Sequence, residues 1–341
     1  MTLIINLNKI AAKNKSTKMR SNKINNVDLF TSAANERFSK HIKTQSKQAL
    51  EIINNKINWT KLLEPIEEII AKTKQNNSPA GRRTFDLRVI VKCFLLQSIY
   101  NLSDPRLEEE IADRRSFQIF LDLNSADSIP DETTICRYRE LFSSLKLDKK
   151  LFYEFNKQLS QQNFIIGKGT IVDATIKQAQ AKPKSNRDND ADFTKKTGKT
   201  YYGYKGHIAI DSETKVIKKV EFTSASIHDS NMFDNLVDQT EQVVLADKGY
   251  ANQQRKRNLR SKGIFCGILD KGYRNRTLSK KQQKKNRVLS SVRNSVERPF
   301  SYMKQVLNYS RCSYYDIKRN RFEFIMCAFV YNIRRLITLT T

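Results

Sequence analysis

The first half of the chain carries apolar residues at helical spacing. Leu87, Ile90, Val91, Phe94 and Leu95 recur at i, i+3, i+4, i+7 and i+8, which places them on one face of a helix. Further helices are predicted over 59–70, 104–111, 116–121 and 130–142. Several short helices joined by tight turns predict a helical domain. It could be a helix-turn-helix-like DNA module or a bundle that only braces a second domain.

Two features of this helical region bear on its contacts. Asp104 is followed by Pro105, which predicts that Asp104 caps the helix over 104–111. The helix over 130–142 carries Arg137 and Arg139, which we expect to contact DNA if the region is a DNA module.

From about residue 165 the pattern changes to the short apolar runs that are typical of strands. Gly169–Ile176 is the first run. His207–Ile210 and Val216–Val220 flank the turn residues Asp211–Thr214, which predicts a hairpin. The predicted order continues with a helix over 231–237, a strand over 243–247, a helix over 253–261, a strand over 264–269, and helices over 288–307 and 322–336. Strands alternating with helices predict an α/β domain with a sheet flanked by helices.

The charge of the chain indicates its partner. The 341 residues include 62 Lys and Arg against 35 Asp and Glu, which gives a net charge of +27 and a pI near 9.9. Nucleic acid is the expected partner, because each neutralised phosphate releases condensed counterions. A ribosomal protein or a membrane-surface protein could share this charge.

The basic residues also suggest how the chain is organised. The first 50 residues hold ten Lys and Arg and only two acids, so they are predicted to stay loose until they meet an anionic partner. We predict a basic tail with a short helix over 1–80, the helical domain over 81–150, and the α/β domain over 165–341.

Cysteine usage and hydropathy exclude several classes of protein. The five cysteines are scattered without a C-x-x-C pair, which predicts neither a zinc site nor a disulfide framework. No stretch reaches the roughly 18 apolar residues of a membrane span. The N-terminus lacks the three regions of a signal peptide. A cytoplasmic protein without a membrane partner is expected.

Three carboxylates have the surroundings that a two-metal site requires. Asp173 and Asp247 are each predicted to close an apolar strand, although aspartate is disfavoured in strands. Groups at strand ends of an α/β sheet point into the crevice where ligands bind. Glu297 lies on the predicted helix over 288–307. Two aspartates on strands and one glutamate on a helix can hold two divalent ions about 3.5–4 Å apart for attack at phosphorus.

Each of these acids also has a simpler explanation. A single aspartate after an apolar run can be a turn or cap residue, and Glu297 could form a surface ion pair with Arg293. At 100° per residue, Arg293 and Lys304 would flank Glu297 on one helix face. Pro299 weakens that prediction for Lys304, since proline kinks a helix interior.

Two further segments are strongly basic. Residues 255–287 hold thirteen Lys or Arg against one acid and include Tyr273, which could stack on a base. Residues 182–205 are also basic and end with Tyr201, Tyr202 and Tyr204. Such runs can be solvated faces, but the excess over acids favours a role in gripping the DNA backbone.

The strings that carry these residues resemble one family of proteins. They are Val172–Thr175, Gly203–His207, Ser226–Ser230, Ala246–Tyr250, and the series Arg293, Glu297, Arg298, Phe300 and Lys304, with helical-region matches at Gly81–Arg83, Leu95–Gln97, Leu102–Asp104 and Ile129–Thr134. In this order they resemble bacterial insertion-sequence transposases of the DDE type, and above all the insertion-sequence-five family, over roughly residues 80–340.

The resemblance implies a fold and a set of roles. The catalytic domain would be RNase H-like, and Asp173, Asp247 and Glu297 would be its metal-binding triad, with Mg²⁺ as cofactor and Mn²⁺ as a possible substitute. Arg293 and Lys304 would contact DNA. A related insertion-sequence-four pattern has Tyr at the position of Ser290, so no stacking role is expected there.

These observations predict a DNA transposase. It would bind the terminal inverted repeats of its element, cleave there, and join the ends to target DNA. Double-stranded DNA is the expected partner, and work on two ends implies a dimer or larger assembly. Lys248 and Arg298, which adjoin two of the acids, are added to the expected DNA contacts. The alternatives are a metal-dependent nuclease or resolvase of the same fold and a catalytically inert DNA-binding protein.

Overall fold

The computed structural model describes residues 45–74, 85–124, 127–181, 188–196, 198–238, 240–273 and 277–340. The loose tail predicted for the first 50 residues lies outside the described residues up to residue 44. The chain divides into two compact units. One is helical and comprises the residues up to Leu151 with Leu336–Thr341, and the other contains the sheet and comprises Phe152–Arg335.

Helices dominate the described residues before the sheet. They are α1 (Gln45–Lys56), α2 (Trp59–Lys74), α3 (Leu87–Tyr100), α4 (Asp104–Asp113), α5 (Arg115–Phe120), α6 (Glu132–Ser144) and α7 (Leu147–Gln161). Five of them confirm predicted helices, whereas α1 and α7 were not predicted. Asp86 caps α3 by accepting the Arg88 N–H at 2.7 Å. The apolar stripe of α3 is fully buried, and Phe94 meets Phe142 of α6 edge to face at 5.4 Å.

A buried ion pair joins α4 to α6. Ser103, rather than Asp104, is the N-cap of α4, and its hydroxyl accepts the Arg106 N–H. The prediction that Asp104 is the cap was therefore wrong. Its carboxylate instead accepts both terminal nitrogens of Arg139, one of them at 2.6 Å, and Gln97 accepts a further bond at 2.9 Å. Arg139 is only 3% exposed, so this positively charged residue is buried and does not lie on the surface where a DNA contact was expected.

The second unit is built on a six-stranded mixed sheet. Its strands are β1 (Gly169–Gln178), β2 (Asp192–Lys196), β3 (Lys199–Asp211), β4 (Ile217–Ser224), β5 (Val243–Ala246) and β6 (Phe265–Ile268). The order is β2-β3-β1-β5-β6, and β4 also pairs with β3. β1, β5 and β6 are parallel, while β3 is antiparallel to its three partners. This mixed sheet flanked by helices is the predicted RNase H-like α/β fold.

Two short helices cover one face of the sheet. They are α8 (Phe233–Leu236), which follows a 3₁₀ turn over Asp229–Met232, and α9 (Gln253–Ser261). Phe233 and Leu259 pack in one buried cluster with Val172 of β1 and Val244 of β5. Burial on both faces explains why β5 is a continuous apolar run rather than an alternating one.

The helix predicted over 288–307 is interrupted. The structure has α10 (Lys280–Arg293), a 3₁₀ turn over Asn294–Val296, and α11 (Glu297–Gln305), followed by α12 (Ile317–Thr340). Pro299 gives the physical reason, since its ring would clash with the carbonyl four residues earlier in a continuous helix. With a new helix beginning at Glu297, Pro299 falls in the first turn, where a missing N–H costs nothing.

Among the described residues, no helix combines the length and the apolar character that crossing a membrane requires.

Candidate active site

Asp173 lies in the middle of β1, not at its end as the sequence predicted, and Asp247 directly follows β5, the neighbouring parallel strand. Val172 of β1 is in register with Ala246, the last residue of β5. The residues that follow this pair are Asp173 and Asp247, and neighbouring strands are about 4.8 Å apart. The fold therefore brings together two of the three predicted acids, which are far apart in the sequence.

A cavity of about 210 Å³ opens at this point. Its lining mixes acids with lysines and a few small or apolar residues: Asp173, Asp229, Asp247, Lys195, Lys196, Lys205, Ala174, Thr175, Ile176 and Thr194. Carboxylates can hold metal ions, and ammonium groups can hold phosphate oxygens. One small cavity thus offers the two kinds of group that phosphoryl transfer uses.

The carboxylate of Asp173 has two fixed contacts. Its Oδ1 accepts the Ala174 N–H at 2.8 Å, and its Oδ2 accepts Arg293 Nη1 at 2.9 Å. Burial raises the pKa of Asp173 above its usual value, and the nearby charge of Asp247 adds to the rise. The Ala174 bond and the cations Arg293 and Lys196 oppose it. Asp173 is thus a half-buried carboxylate, at which a proton and a cation would compete for the same oxygens.

Glu297 is placed differently from the two aspartates. It is the first residue of α11 and is exposed, and it is not among the residues that line the cavity. The 3₁₀ turn just before it packs against β1, so its backbone lies near the strand of Asp173. The predicted helix face shared by Arg293 and Glu297 does not exist, because the 3₁₀ turn separates them and Arg293 pairs with Asp173.

The donors present fit a divalent ion in part. Mg²⁺ and Mn²⁺ prefer carboxylate oxygens, and Asp173 and Asp247 offer them in one cavity. The repulsion between these acids, which contributes to the raised pKa of Asp173, is what a bound cation would relieve. In the described part of the chain, however, no group of three His, Cys, Asp or Glu side chains is close enough to hold an ion.

Lys304 lies close to the lysines of the cavity. Burial lowers its pKa, and the neighbouring charge of Lys196 lowers it further. Lys196 lines the cavity, whereas Lys304 is not among its lining residues. The β2–β3 hairpin and α11 thus concentrate positive charge beside the acids.

The other predicted DNA contacts divide into exposed and buried residues. Arg137, Lys248 and Arg298 are exposed and can reach a phosphate. Arg139 is buried in its pair with Asp104, and its guanidinium is not available to DNA in this structure. Tyr204 is also fully buried, where its hydroxyl bonds to Asp188, so it is not a stacking surface.

Sequence reasoning did not assign the cavity residues Lys205 and Asp229. Lys205 Nζ lies 3.0 Å from Asp229 Oδ1 and 2.9 Å from the Ile227 carbonyl oxygen. Both residues belong to strings that carried the family resemblance. The signal was therefore visible as a pattern, but only the tertiary structure shows that those strings meet the aspartates in one cavity.

Two further buried side chains lie near the charged groups of the cavity. Tyr250 is buried, and its pKa is raised well above the usual value by burial and by the charges of Asp229, Asp173 and Asp247. His207 Nε2 lies 2.9 Å from the Thr223 hydroxyl, and burial lowers the pKa of His207 to about 4. His207 is therefore neutral at pH 7 and adds no positive charge.

The fold and the paired aspartates define a class of protein, namely RNase H-like domains with one acid within a central strand and another directly after the neighbouring strand. Two family models match the chain. Residues 167–333 match the family described as Transposase DDE domain, and residues 37–141 match the family described as Transposase domain (DUF772). Together they support an insertion-sequence-type transposase of the DDE class. They do not identify the insertion-sequence-five family.

One solved structure is similar to the chain. It is a cryo-EM structure of the piggyBac transposase synaptic complex with hairpin DNA. The match has 13% sequence identity and a TM-score of 0.42, and it covers 85% of this chain and 72% of that one.

Proposed function

We propose that this protein is a DNA transposase that binds the inverted repeats at the ends of its own element, cleaves there, and joins the ends to target DNA. The observation that carries the proposal is the meeting of Asp173 and Asp247 in a cavity walled by lysines. The two matched transposase domains support it.

The chemistry assigns roles to the chain's own residues. Asp173 and Asp247 would hold divalent ions, Mg²⁺ or Mn²⁺, and Glu297 at the start of α11 is our proposed third ligand. The ions supply the Lewis acidity that activates water or a 3′-hydroxyl and stabilises the leaving oxygen. Arg293 neutralises Asp173 in the structure described here, so ion binding at that oxygen requires the guanidinium to move.

We infer that the DNA backbone runs over the cations around the cavity. Lys195 and Lys196 of β2 are exposed at its wall, and Lys248 follows Asp247. Lys304 and Arg298 extend this positive surface along α11. Sequence recognition is assigned to the helical region, where Arg137 of α6 is exposed. Action on two ends implies at least a dimer on DNA.

A strand-transfer assay tests the proposed function. The substrate is a labelled, pre-cleaved DNA end taken from the sequence that flanks the reading frame, mixed with a target plasmid and Mg²⁺. Joined products are expected. Products that stop at hydrolysis would favour a nuclease or resolvase. Binding of the end without either reaction would favour an inert DNA-binding protein.

Binding should weaken steeply with salt. If about six phosphates are neutralised, log affinity against log salt has a slope of about −5. Replacing both Lys195 and Lys196 with glutamine should reduce that slope by about 2, because each phosphate contact contributes about 0.9. Fluorescence anisotropy over a salt range of roughly 50 to 300 mM measures it. Lys219→Gln is the control, since Lys219 pairs with Asp238 outside the cavity. An unchanged slope in the double variant would mean that Lys195 and Lys196 of β2 do not contact DNA phosphates.

A further inference from the structure

Lys205 brings a nearly buried ammonium group to the wall of the cavity. Its side chain is 11% exposed, and its Nζ contacts Asp229 and the Ile227 carbonyl oxygen. An ammonium has three donors, and the hydrogen bond to the Ile227 carbonyl oxygen accounts for one of them, while Asp229 is an ion-pair partner. A cation so far removed from water is costly unless it is paired and hydrogen-bonded, and each further acceptor it meets stabilises it. A ligand in the cavity that Lys205 lines could supply such a hydrogen-bond acceptor.

The backbone of Lys205 is held rigidly. It lies in β3, where Ile176 of β1 and Thr223 of β4 are its partners on either side. The next residue, Gly206, has no room for a side chain, because a Cβ would lie 2.6 Å from the Phe324 ring. Close packing on both strands and against this ring leaves Lys205 little freedom to shift, in contrast to the exposed lysines of β2.

Asp229 is also held in place. It begins a 3₁₀ turn that is capped by His228, whose Nδ1 accepts the Ser230 N–H at 3.2 Å. Arg255 clamps the same turn, with one bond of 2.7 Å to the Ser230 hydroxyl and another of 2.8 Å to its carbonyl oxygen. The turn therefore presents Asp229 to Lys205 as an ion-pair partner at 3.0 Å.

We propose that Lys205 is a catalytic residue that donates a hydrogen bond to a non-bridging oxygen of the scissile phosphate, and that Asp229 is a positioning residue that orients it. The inference rests on the proposed function. A phosphodiester that enters the cavity meets the negative charges of Asp173 and Asp247, and Lys205 is the buried cation that lines the same cavity. A fixed ammonium there would donate a hydrogen bond to one phosphate oxygen, whereas the exposed lysines would attract the DNA backbone as a whole.

The test pairs a protein change with a substrate change. Single-turnover cleavage is measured on DNA ends whose scissile phosphate is either normal or a neutral methylphosphonate. Lys205→Met should slow cleavage of normal DNA by about 10- to 100-fold, the range for one charge-assisted hydrogen bond. The methylphosphonate slows the wild type in part because the phosphate oxygen that accepts the Lys205 hydrogen bond has lost its charge. In Lys205→Met that hydrogen bond is already absent, so the rate ratio between normal and methylphosphonate DNA should shrink by a similar factor. Lys205→Arg should restore part of the rate, and DNA affinity should stay within about threefold.

Asp229→Asn is tested alone and combined with Lys205→Met. If Asp229 acts through Lys205, its substitution slows the wild type but has no further effect in the Lys205→Met background. Additive effects, together with weaker Mn²⁺ binding by paramagnetic resonance, would make Asp229 a metal ligand and overturn the positioning role. Lys219→Met controls for the loss of a paired lysine on the same sheet and should cleave normally.

The outcomes separate this inference from the proposed function. If the wild type cleaves and Asp173→Asn does not, but the methylphosphonate penalty is the same with and without Lys205, the inference is wrong and the transposase proposal stands. If the wild type does not cleave its own ends at all, both are overturned. Thermal unfolding of each variant shows whether a lost rate reflects lost folding, and Lys205→Arg provides the folded comparison.

Discussion

Replacing Asp247 with asparagine is expected to abolish cleavage of DNA ends while leaving end binding nearly intact. Asp247 adjoins Asp173 at the end of β5, where both acids would hold the ions that activate the nucleophile. Loss of one such ligand should slow cleavage by at least about 10³-fold, which corresponds to about 4 kcal/mol of lost transition-state stabilisation. Gel-based single-turnover cleavage measures the rate, and anisotropy measures the binding.

Asp173→Asn and Glu297→Gln complete this experiment. Asp173→Asn should match Asp247→Asn, since both acids share the cavity. Glu297→Gln should be equally damaging if Glu297 is the third ligand, although its side chain is exposed at the start of α11. Glu213, an exposed acid in the β3–β4 turn, is the matched control as Glu213→Gln. Cleavage at the wild-type rate by any of the three variants would show that its residue has been misassigned.

Arg139→Ala is expected to destabilise the helical unit by about 3 kcal/mol, the lower end of the range for breaking a buried ion pair. The change leaves Asp104 without its bidentate partner and Gln97 without its donor. The lower end applies because the Asp104 side chain is still 21% exposed, so water can solvate it in part. Urea unfolding followed by the fluorescence of Trp59 measures the change, since this is the sole tryptophan of the sequence and it is buried in the same unit.

The neighbouring arginine provides the control for this prediction. Arg137 is exposed on α6, so Arg137→Ala should change the free energy of unfolding by no more than about 0.5 kcal/mol. The same substitution should weaken DNA binding if α6 contacts the backbone. Equal stability of the two variants would mean that the Asp104–Arg139 pair contributes little, and a loss of binding without unfolding in Arg139→Ala would return Arg139 to the DNA surface.

The predicted strands and helices succeeded where burial dictates the pattern. Val243–Ala246 is apolar because both faces of β5 are covered, and the hairpin between β3 and β4 follows from its turn residues. In that turn the Asp211 carboxylate accepts the N–H groups of Glu213 and Thr214. By contrast, β2 was not predicted, because its exposed residues Asp192–Lys196 carry no alternation that burial would impose.

The sequence by itself determined the α/β class, the positive charge and the association of the two aspartates with apolar strands, although Asp173 lies within β1 and not at its end. These follow from the local order of apolar and polar residues, which burial and strand geometry impose. Only the tertiary structure decided that Asp173 and Asp247 are neighbours, that Arg139 is buried, and that Lys205 and Asp229 join the cavity. Contacts between distant segments depend on the register in which the strands pair. They also depend on which charged side chains are buried next to each other when the segments pack. No local sequence pattern encodes either of these.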